Sequence, residues 1–141
     1  MQGPFAFEKR YKYPHLTDGE AAIWERFVDK NPGAFDECWY DVEIGTCRDK
    51  TKPLDPYFGE HKEYLNKYKI DVLGKKDKQY TIIEIKREAT SKALGEIQLY
   101  YHCFRRDWEI EAPVKTMILT DIEMPDMREI TKLDDTQLII V

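Results

Sequence analysis

The stretch TIIEIK, Thr81 to Lys86, decides the fold, because it has the composition of a central strand and yet carries two charges. Its three isoleucines are β-branched and pack well on a buried pleated surface. Glu84 and Lys86 stand two residues apart, so the sequence predicts that their side chains share one face of the strand. A carboxylate and an ammonium group in such a strand require a chemical reason.

The surrounding run YKIDVLGKKDKQYTIIEIKREAT, residues 68–90, predicts a β-hairpin with TIIEIK in its second strand. If the hairpin closes through the two residues Asp77 and Lys78, paired residue numbers sum to 155 and Asp71 lies opposite Glu84. The Cβ atoms of such a pair are about 4.5–5.5 Å apart, where like charges repel. The sequence therefore predicts two crowded carboxylates on one face of the hairpin.

Two carboxylates held together in a buried strand pair need a cation, and Lys86 supplies a single positive charge. A divalent ion with a preference for oxygen ligands meets this need, so we expect Mg²⁺, with Mn²⁺ able to substitute. The alternative is that Glu84 and Lys86 lie on the solvated face of an antiparallel sheet.

The rest of the chain predicts helices and strands in an αβββαβ order. Thr17 and Glu20 form a capping box for a first helix that ends near Lys30. Pro125 suits the first turn of a short helix. The other predicted elements are strands at 38–46 and 114–121, a helix at 91–108, and a last strand, QLIIV. We expect one α/β domain, 1–141, with a mixed central sheet flanked by helices, a core at about 17–121 and a helix–strand appendix at 122–141.

Both long helices place a polar residue on their apolar stripe. Glu20 lies on the stripe of the first helix, and Gln98 interrupts the stripe of the second. Glu20 could serve only as the far half of the capping box, and Gln98 could be a core amide bonded to backbone. Together with Asp71, Glu84 and Lys86, however, these positions predict a shared site.

These residues resemble the PD-(D/E)XK nuclease superfamily, and most closely its compact RecB-like and NucS-like members. The likeness rests on Asp71, on EIK at 84–86 in the next strand, and on Gln98 in the following helix. The αβββαβ order is that of the family's restriction-endonuclease-like core. Ile70 stands where the name-giving proline would be.

The resemblance implies a role for each residue of the site. Asp71, Glu84 and the backbone carbonyl of Ile85 would bind the metal, and Lys86 would position or activate the attacking water. Glu20 would be the acid of the first helix. In the same way, Gln98 would orient Lys86 or the phosphate.

The function implied is a metal-dependent nuclease that hydrolyses phosphodiester bonds in DNA. The alternative is a catalytically silent module of the same fold that binds nucleic acid or protein. The sequence leaves open whether the substrate is DNA or RNA, whether DNA is duplex, branched or single-stranded, and whether a protein partner or a second copy is needed.

Charge and composition limit the partners and the compartment. The net charge of −5 argues against binding to nucleic acid by bulk electrostatics. A local excess of basic residues at 61–92 indicates either a positive face or a solvated lysine-rich hairpin. No apolar run approaches the ~20 residues of a membrane span, and three cysteines without paired spacing suggest reduced thiols in a cytoplasmic protein.

The long connection before the hairpin interleaves aromatic and basic residues. Aromatic rings can stack on unpaired bases, and lysines can follow phosphates. We expect this segment to form one wall of the substrate groove; the alternative is that its rings pack onto the domain and order the loop. The residues expected to contact nucleic acid are Tyr57, Phe58, Lys62, Tyr64, Lys67 and Arg87.

Overall fold

A computed structural model describes residues 1–45 and 68–141, which form an α/β fold. One sheet contains the strands β1 Phe5–Ala6, β2 Glu37–Ile44, β3 Tyr68–Lys76, β4 Gln79–Ile85, β5 Lys115–Thr120 and β6 Thr136–Ile140. The helices of the described residues are α1 Asp18–Lys30, α2 Ser91–Asp107 and α3 Met127–Leu133. The predicted order of elements is confirmed, and the two-residue strand β1 is an addition that the sequence pattern did not predict.

The sheet is mixed, as predicted. Its strands lie in chain order from β1 to β6. The first four pair antiparallel, whereas β5 runs parallel to β4 and β6 runs parallel to β5. Parallel neighbours require a crossover, and α2 and α3 provide the two crossovers. The C-terminal helix–strand unit therefore extends the central sheet.

The register of the β3–β4 hairpin follows the prediction. Val72 pairs with Ile83 and Lys76 pairs with Gln79, so the paired numbers sum to 155 and the turn is formed by Asp77 and Lys78. Asp77 has φ 53°, in the left-handed region that aspartate tolerates in two-residue turns. If this register continues by one pair beyond Val72 and Ile83, the positions of Asp71 and Glu84 lie opposite each other.

Each face of the sheet has its own apolar core, which explains the run of isoleucines in β4. Trp24 and Phe27 of α1 pack on one face together with Ile83, and Ile97 of α2 packs on the other face together with Ile82. A strand that is covered on both sides must be apolar at successive positions. Glu84 is the exception, because it is buried in β4 among these residues.

The helices confirm one predicted feature and correct another. Thr17 caps α1, and its capping box with Glu20 is formed. Gln98 does not lie on the buried stripe of α2, because its side chain is exposed while Leu94, Ile97 and Phe104 are buried. Among the described residues, no helix combines the length and apolar character that a membrane span requires.

Candidate functional site

The predicted site lies where β4 ends and where α1 and α2 begin. Asp71 comes from β3, Glu84 from β4, and Lys86 follows β4 directly. The first turn of α1 and the second turn of α2 reach this point, since Glu20 of α1 acts electrostatically on Asp71 and Glu96 of α2 contacts Lys86. Helix N-termini carry a partial positive charge and favour anions. Glu20, in the first turn of α1, is stabilised by this partial charge.

Asp71 and Glu84 form a carboxyl pair fixed by the hairpin. The backbone N–H of Ile85 donates to Asp71 Oδ2 at 2.9 Å. Glu84 is only 3% exposed, and its Oε1 lies 3.4 Å from Lys86 Nζ. The other oxygen, Oε2, is buried without a hydrogen-bond partner among the described residues. A buried carboxylate oxygen without a partner is costly, which makes it a candidate ligand for a cation.

The surroundings of Asp71 and Glu84 disfavour the state in which both carboxyls are ionised. Burial raises the pKa of Asp71, the hydrogen bond from Ile85 lowers it, and the charge of Glu20 raises it further, so the net shift is upward. Burial also raises the pKa of Glu84, and the charge of Asp71 adds to that rise. The charge of Asp71 therefore makes ionisation of Glu84 harder, whereas a hydrogen bond with Glu84 favours the ionised form of Asp71. A bound cation would remove this conflict.

Lys86 lies between two carboxylates. Its Nζ is 3.4 Å from Glu84 Oε1 and 3.3 Å from Glu96 Oε2, and Glu96 also lies 3.9 Å from Lys92. Burial lowers the pKa of Lys86, but the charges of Glu84 and Glu96 outweigh it, so the pKa of Lys86 is raised. Lys86 is therefore an ammonium group at neutral pH, positioned from both sides.

Glu96 and Tyr100 belong to the site, although the sequence reasoning did not select them. Burial raises the pKa of the Tyr100 hydroxyl, and the charges of Glu84 and Glu96 raise it further, so this hydroxyl lies within electrostatic range of both carboxylates. Glu96 and Tyr100 are four residues apart and thus share one face of α2. That spacing is visible in the sequence, but it does not show which face of α2 turns toward β4.

Gln98 lies outside this group of side chains. Two residues along a helix correspond to a rotation of about 200°, so Gln98 and Glu96 face in opposite directions. The Gln98 amide donates to Asp134 Oδ2. It lines a cleft of about 300 Å³ together with Tyr101 and Thr116. In the structure it is Glu96 that contacts Lys86.

Glu20 is both a capping residue and a neighbour of the pair. Its Oε2 accepts from the backbone N–H of Thr17 at 3.0 Å, and its backbone N–H donates to Thr17 Oγ1 at 3.2 Å. Its charge raises the pKa of Asp71, so its carboxylate lies within electrostatic range of the strand pair. Glu20 thus lies near Asp71, and its role at a metal site stays a prediction.

The residues predicted to contact nucleic acid fall into two groups. Arg87 is exposed and lies directly after Lys86, at the edge of the site. The others lie outside the described residues, so their predicted contacts stay predictions: Tyr57, Phe58, Lys62, Tyr64 and Lys67.

The side chains present fit a hard divalent cation that keeps much of its water. Among residues 1–45 and 68–141, no group of three or more His, Cys, Asp or Glu side chains is arranged to hold a metal ion. The buried carboxylates at this point are those of Asp71 and Glu84. Mg²⁺ binds through one or two carboxylates and retains several waters, so this set is sufficient. The unpartnered Glu84 Oε2 fits such an ion.

Comparison with known proteins yields one structural likeness. The chain is similar to the solved structure of an EndoMS–dsDNA2 complex, with 13% sequence identity and a TM-score of 0.48. The match covers 94% of this chain and 48% of that one, so the chain spans about half of its length. A likeness at this level supports no assignment of function. No family model and no curated protein matches the chain.

Proposed function

We propose that this chain is a Mg²⁺-dependent nuclease that hydrolyses phosphodiester bonds in DNA. The observation that carries the proposal is the buried pair of Asp71 and Glu84, with Glu84 Oε2 unpartnered and the Lys86 ammonium 3.4 Å from Glu84 Oε1. Crowded carboxylates beside a fixed cationic side chain have little structural use. They suit a site where an ion and a phosphate bind together.

Each side chain has a defined task in this proposal. Asp71, Glu84 and the Ile85 carbonyl would hold the ion, which when bound lowers the pKa of water and offsets charge on the phosphate. The hydrogen bond from the Ile85 N–H keeps Asp71 oriented toward β4. Glu84 must be ionised to act as a ligand, and its raised pKa makes this dependent on pH and on the ion.

Lys86 would hold the attacking water or a phosphate oxygen by donating a hydrogen bond. Its raised pKa keeps it protonated, so it is suited to electrostatic stabilisation rather than to proton abstraction. Glu84 and Glu96 restrict its ammonium to one position. Such orientation contributes to catalysis because no reorganisation is then needed in the transition state.

Cleavage assays test the proposal directly. Labelled duplex, single-stranded and branched DNA, with RNA as a further substrate, would be incubated with the protein in Mg²⁺, in Mn²⁺ and in EDTA. We expect cleavage only with metal, and its loss in Asp71→Asn and Glu84→Gln. Asp134→Asn is the matched control, because it removes a carboxylate that bonds Gln98 outside the site.

Three outcomes contradict the proposal in different ways. Nucleic-acid binding without cleavage under any metal condition would assign the chain to the alternative, a catalytically silent module of this fold. Absence of both cleavage and calorimetric Mn²⁺ binding would remove the metal site itself. Cleavage that persists in EDTA would also overturn the assignment.

A further inference from the structure

A second charged cluster, of Arg26, Arg87 and Asp121, borders the site on the side of α1. Asp121 Oδ2 lies 3.7 Å from Arg87 Nε and 3.8 Å from Arg26 Nη2. Arg26 belongs to α1. Arg87 is the second residue after β4, and Asp121 is the first residue after β5. Three elements thus bring two guanidinium groups to one carboxylate.

The backbone fixes this cluster firmly. The Lys86 N–H donates to the Leu119 carbonyl at 2.9 Å, and Thr120 Oγ1 donates to the Arg87 carbonyl at 2.9 Å. A bridge between Glu88 and Ile122 continues the parallel pairing beyond both strand ends. The backbone that carries Lys86 and Arg87 is therefore held in place by these contacts.

The Arg87 side chain lies against the first turn of α1. A Cβ atom placed on Gly19 would be 2.7 Å from Arg87 Cδ. Glycine at this position is what allows the arginine stem to cross the helix so closely. The contact between Arg87 and Gly19 places the cluster beside the site. Glu20 directly follows Gly19, and its charge raises the pKa of Asp71.

The two arginines retain donors for a ligand. Their side chains are 63% and 42% exposed for Arg87 and Arg26, respectively. Each guanidinium has five N–H donors, and their separations from the shared Asp121 oxygen exceed a hydrogen-bond distance. Guanidinium groups with free forks are suited to phosphate oxygens, which they bind in a bidentate manner.

Side-chain direction places these donors opposite Lys86. Successive residues at the end of a strand point to opposite faces, and Lys86 turns toward Glu96 of α2 while Arg87 turns toward Gly19 of α1. A ligand that crosses the end of β4 would meet an ammonium on one side and two guanidinium groups on the other. An extended chain of phosphates has the length and the charge to do this.

We propose that Arg26 and Arg87 bind backbone phosphates of the nucleic acid beside the scissile one, and that Asp121 is the residue that positions both arginines. The inference rests on the proposed function, because it takes a nucleic acid as the ligand of the adjacent site. It assigns Arg26 and Asp121 to substrate binding and gives Arg87 a phosphate rather than a base as its contact.

Binding without metal separates this inference from catalysis. Fluorescence polarisation of labelled single-stranded and duplex oligonucleotides would be followed in EDTA over a series of salt concentrations. Each lost phosphate contact reduces the slope of log K against log salt by about 0.7–0.9. We expect Arg26→Ala and Arg87→Ala each to lower the magnitude of this slope by the amount for about one phosphate contact. The double variant should lower it by the amount for about two.

Arg106→Ala is the matched control. Arg106 is also an exposed arginine paired with an aspartate, at 2.9 Å from Asp107, and it lies in the last turn of α2. Its replacement changes the net charge equally but removes no proposed contact. A loss of affinity and slope as large as that of Arg87→Ala would attribute the effect to overall charge and overturn the inference.

Asp121→Asn tests whether Asp121 positions the two arginines, because the two explanations predict opposite changes in affinity. Bulk electrostatics predicts tighter binding, because a negative charge is lost beside the ligand. Positioning predicts weaker binding at an unchanged melting temperature, with affinity restored in Asp121→Glu. Tighter binding in Asp121→Asn would overturn the positioning role.

The remaining outcomes also separate the two proposals. Cleavage by the parent protein with unchanged slopes in both arginine variants would overturn the phosphate contacts and leave the nuclease intact. Binding that depends on both arginines without any cleavage would support the contacts and overturn the catalytic proposal. A parent protein that binds neither oligonucleotide in EDTA overturns the phosphate contacts, and the cleavage assay with metal then decides the nuclease separately.

Discussion

Glu96 Oε2 lies 3.3 Å from Lys86 Nζ, which joins the second turn of α2 to the end of β4. The contact holds the ammonium from the side opposite Glu84. If Lys86 must be placed accurately to act on a phosphate, then Glu96 is a positioning residue for it. Its loss should reduce the rate without removing the metal.

We expect Glu96→Ala to lower kcat by about tenfold to a hundredfold, the range that a displacement of ~1 Å can cause. Glu96→Gln keeps an acceptor for Lys86 and should lose less. Lys92→Ala is the control, since it removes the other partner of Glu96 at 3.9 Å and should leave the rate unchanged. Equal rates for the parent and Glu96→Ala, at equal calorimetric Mn²⁺ affinity, would contradict this role.

The hairpin and its carboxyl pair could be predicted because local rules fix them. A two-residue turn sets the register, and the register alone places Asp71 opposite Glu84. The capping box of Thr17 and Glu20 is likewise a short-range signal. These features depend on spacing along the chain, which the sequence states directly.

The partners of Lys86 could not be predicted in the same way. Which face of α2 turns toward β4 depends on how the helix packs on the sheet. Leu94 and Ile97 indicate an apolar stripe, but its width leaves several flanking positions open. Assigning Gln98 to that stripe was wrong, because its side chain is exposed at the border of the stripe. The two-residue β1 gives too short a signal for any pattern.

The metal-free protein should lose stability as the pH rises. The folded-state pKa values of Asp71 and Glu84 are raised, so between about pH 4 and those values the folded protein binds more protons than the unfolded chain. The free energy of unfolding therefore falls with rising pH across this window. Chemical denaturation at several pH values in EDTA measures the fall.

Asp71→Asn should flatten this pH dependence, because the amide oxygen can still accept from the Ile85 N–H and no second charge forms. Mn²⁺ should stabilise the parent most at the higher pH values, where both carboxyls ionise. Asp134→Asn should keep the parent's profile. A parent profile that is flat in EDTA would contradict the crowding of the two carboxyls.

Glu20→Gln should separate capping from catalysis. The amide oxygen can still accept from the Thr17 N–H, so the melting temperature should stay within about 1 °C of the parent value, as for a change of well under 1 kcal/mol. The lost charge should lower the pKa of Asp71, whose rise it supports. We therefore expect an altered pH–rate profile, with its acidic limb displaced to lower pH. An unchanged profile would restrict Glu20 to its cap.

Gln98→Leu should leave the rate of cleavage unchanged. The side chain is exposed and bonds Asp134, so its replacement removes one hydrogen bond and costs about 0.5–1.5 kcal/mol of stability at most. Steady-state kinetics and thermal unfolding of the same preparation measure both effects. A large loss of kcat at an unchanged melting temperature would return Gln98 to the site.

Gly19→Ala should weaken nucleic-acid binding while the fold becomes no less stable. The added Cβ would lie 2.7 Å from Arg87 Cδ, so the arginine stem must move away from α1 and from its place beside Asp121. Alanine also favours a helix over glycine by roughly 0.5–1 kcal/mol. Affinity and salt slope in EDTA should therefore fall toward those of Arg87→Ala, without a lower melting temperature.

Gly95→Ala supplies the matched control for this variant. Gly95 also lies in the first turns of a helix, α2, but a Cβ placed there meets nothing within 4 Å among the described residues. Both variants gain helix propensity, and only Gly19→Ala disturbs Arg87. If the two bind oligonucleotides with the same affinity and slope as the parent, the path of Arg87 across α1 is irrelevant to binding. If Gly19→Ala alone loses affinity, the close approach of this glycine to Arg87 is what sets the arginine beside the site.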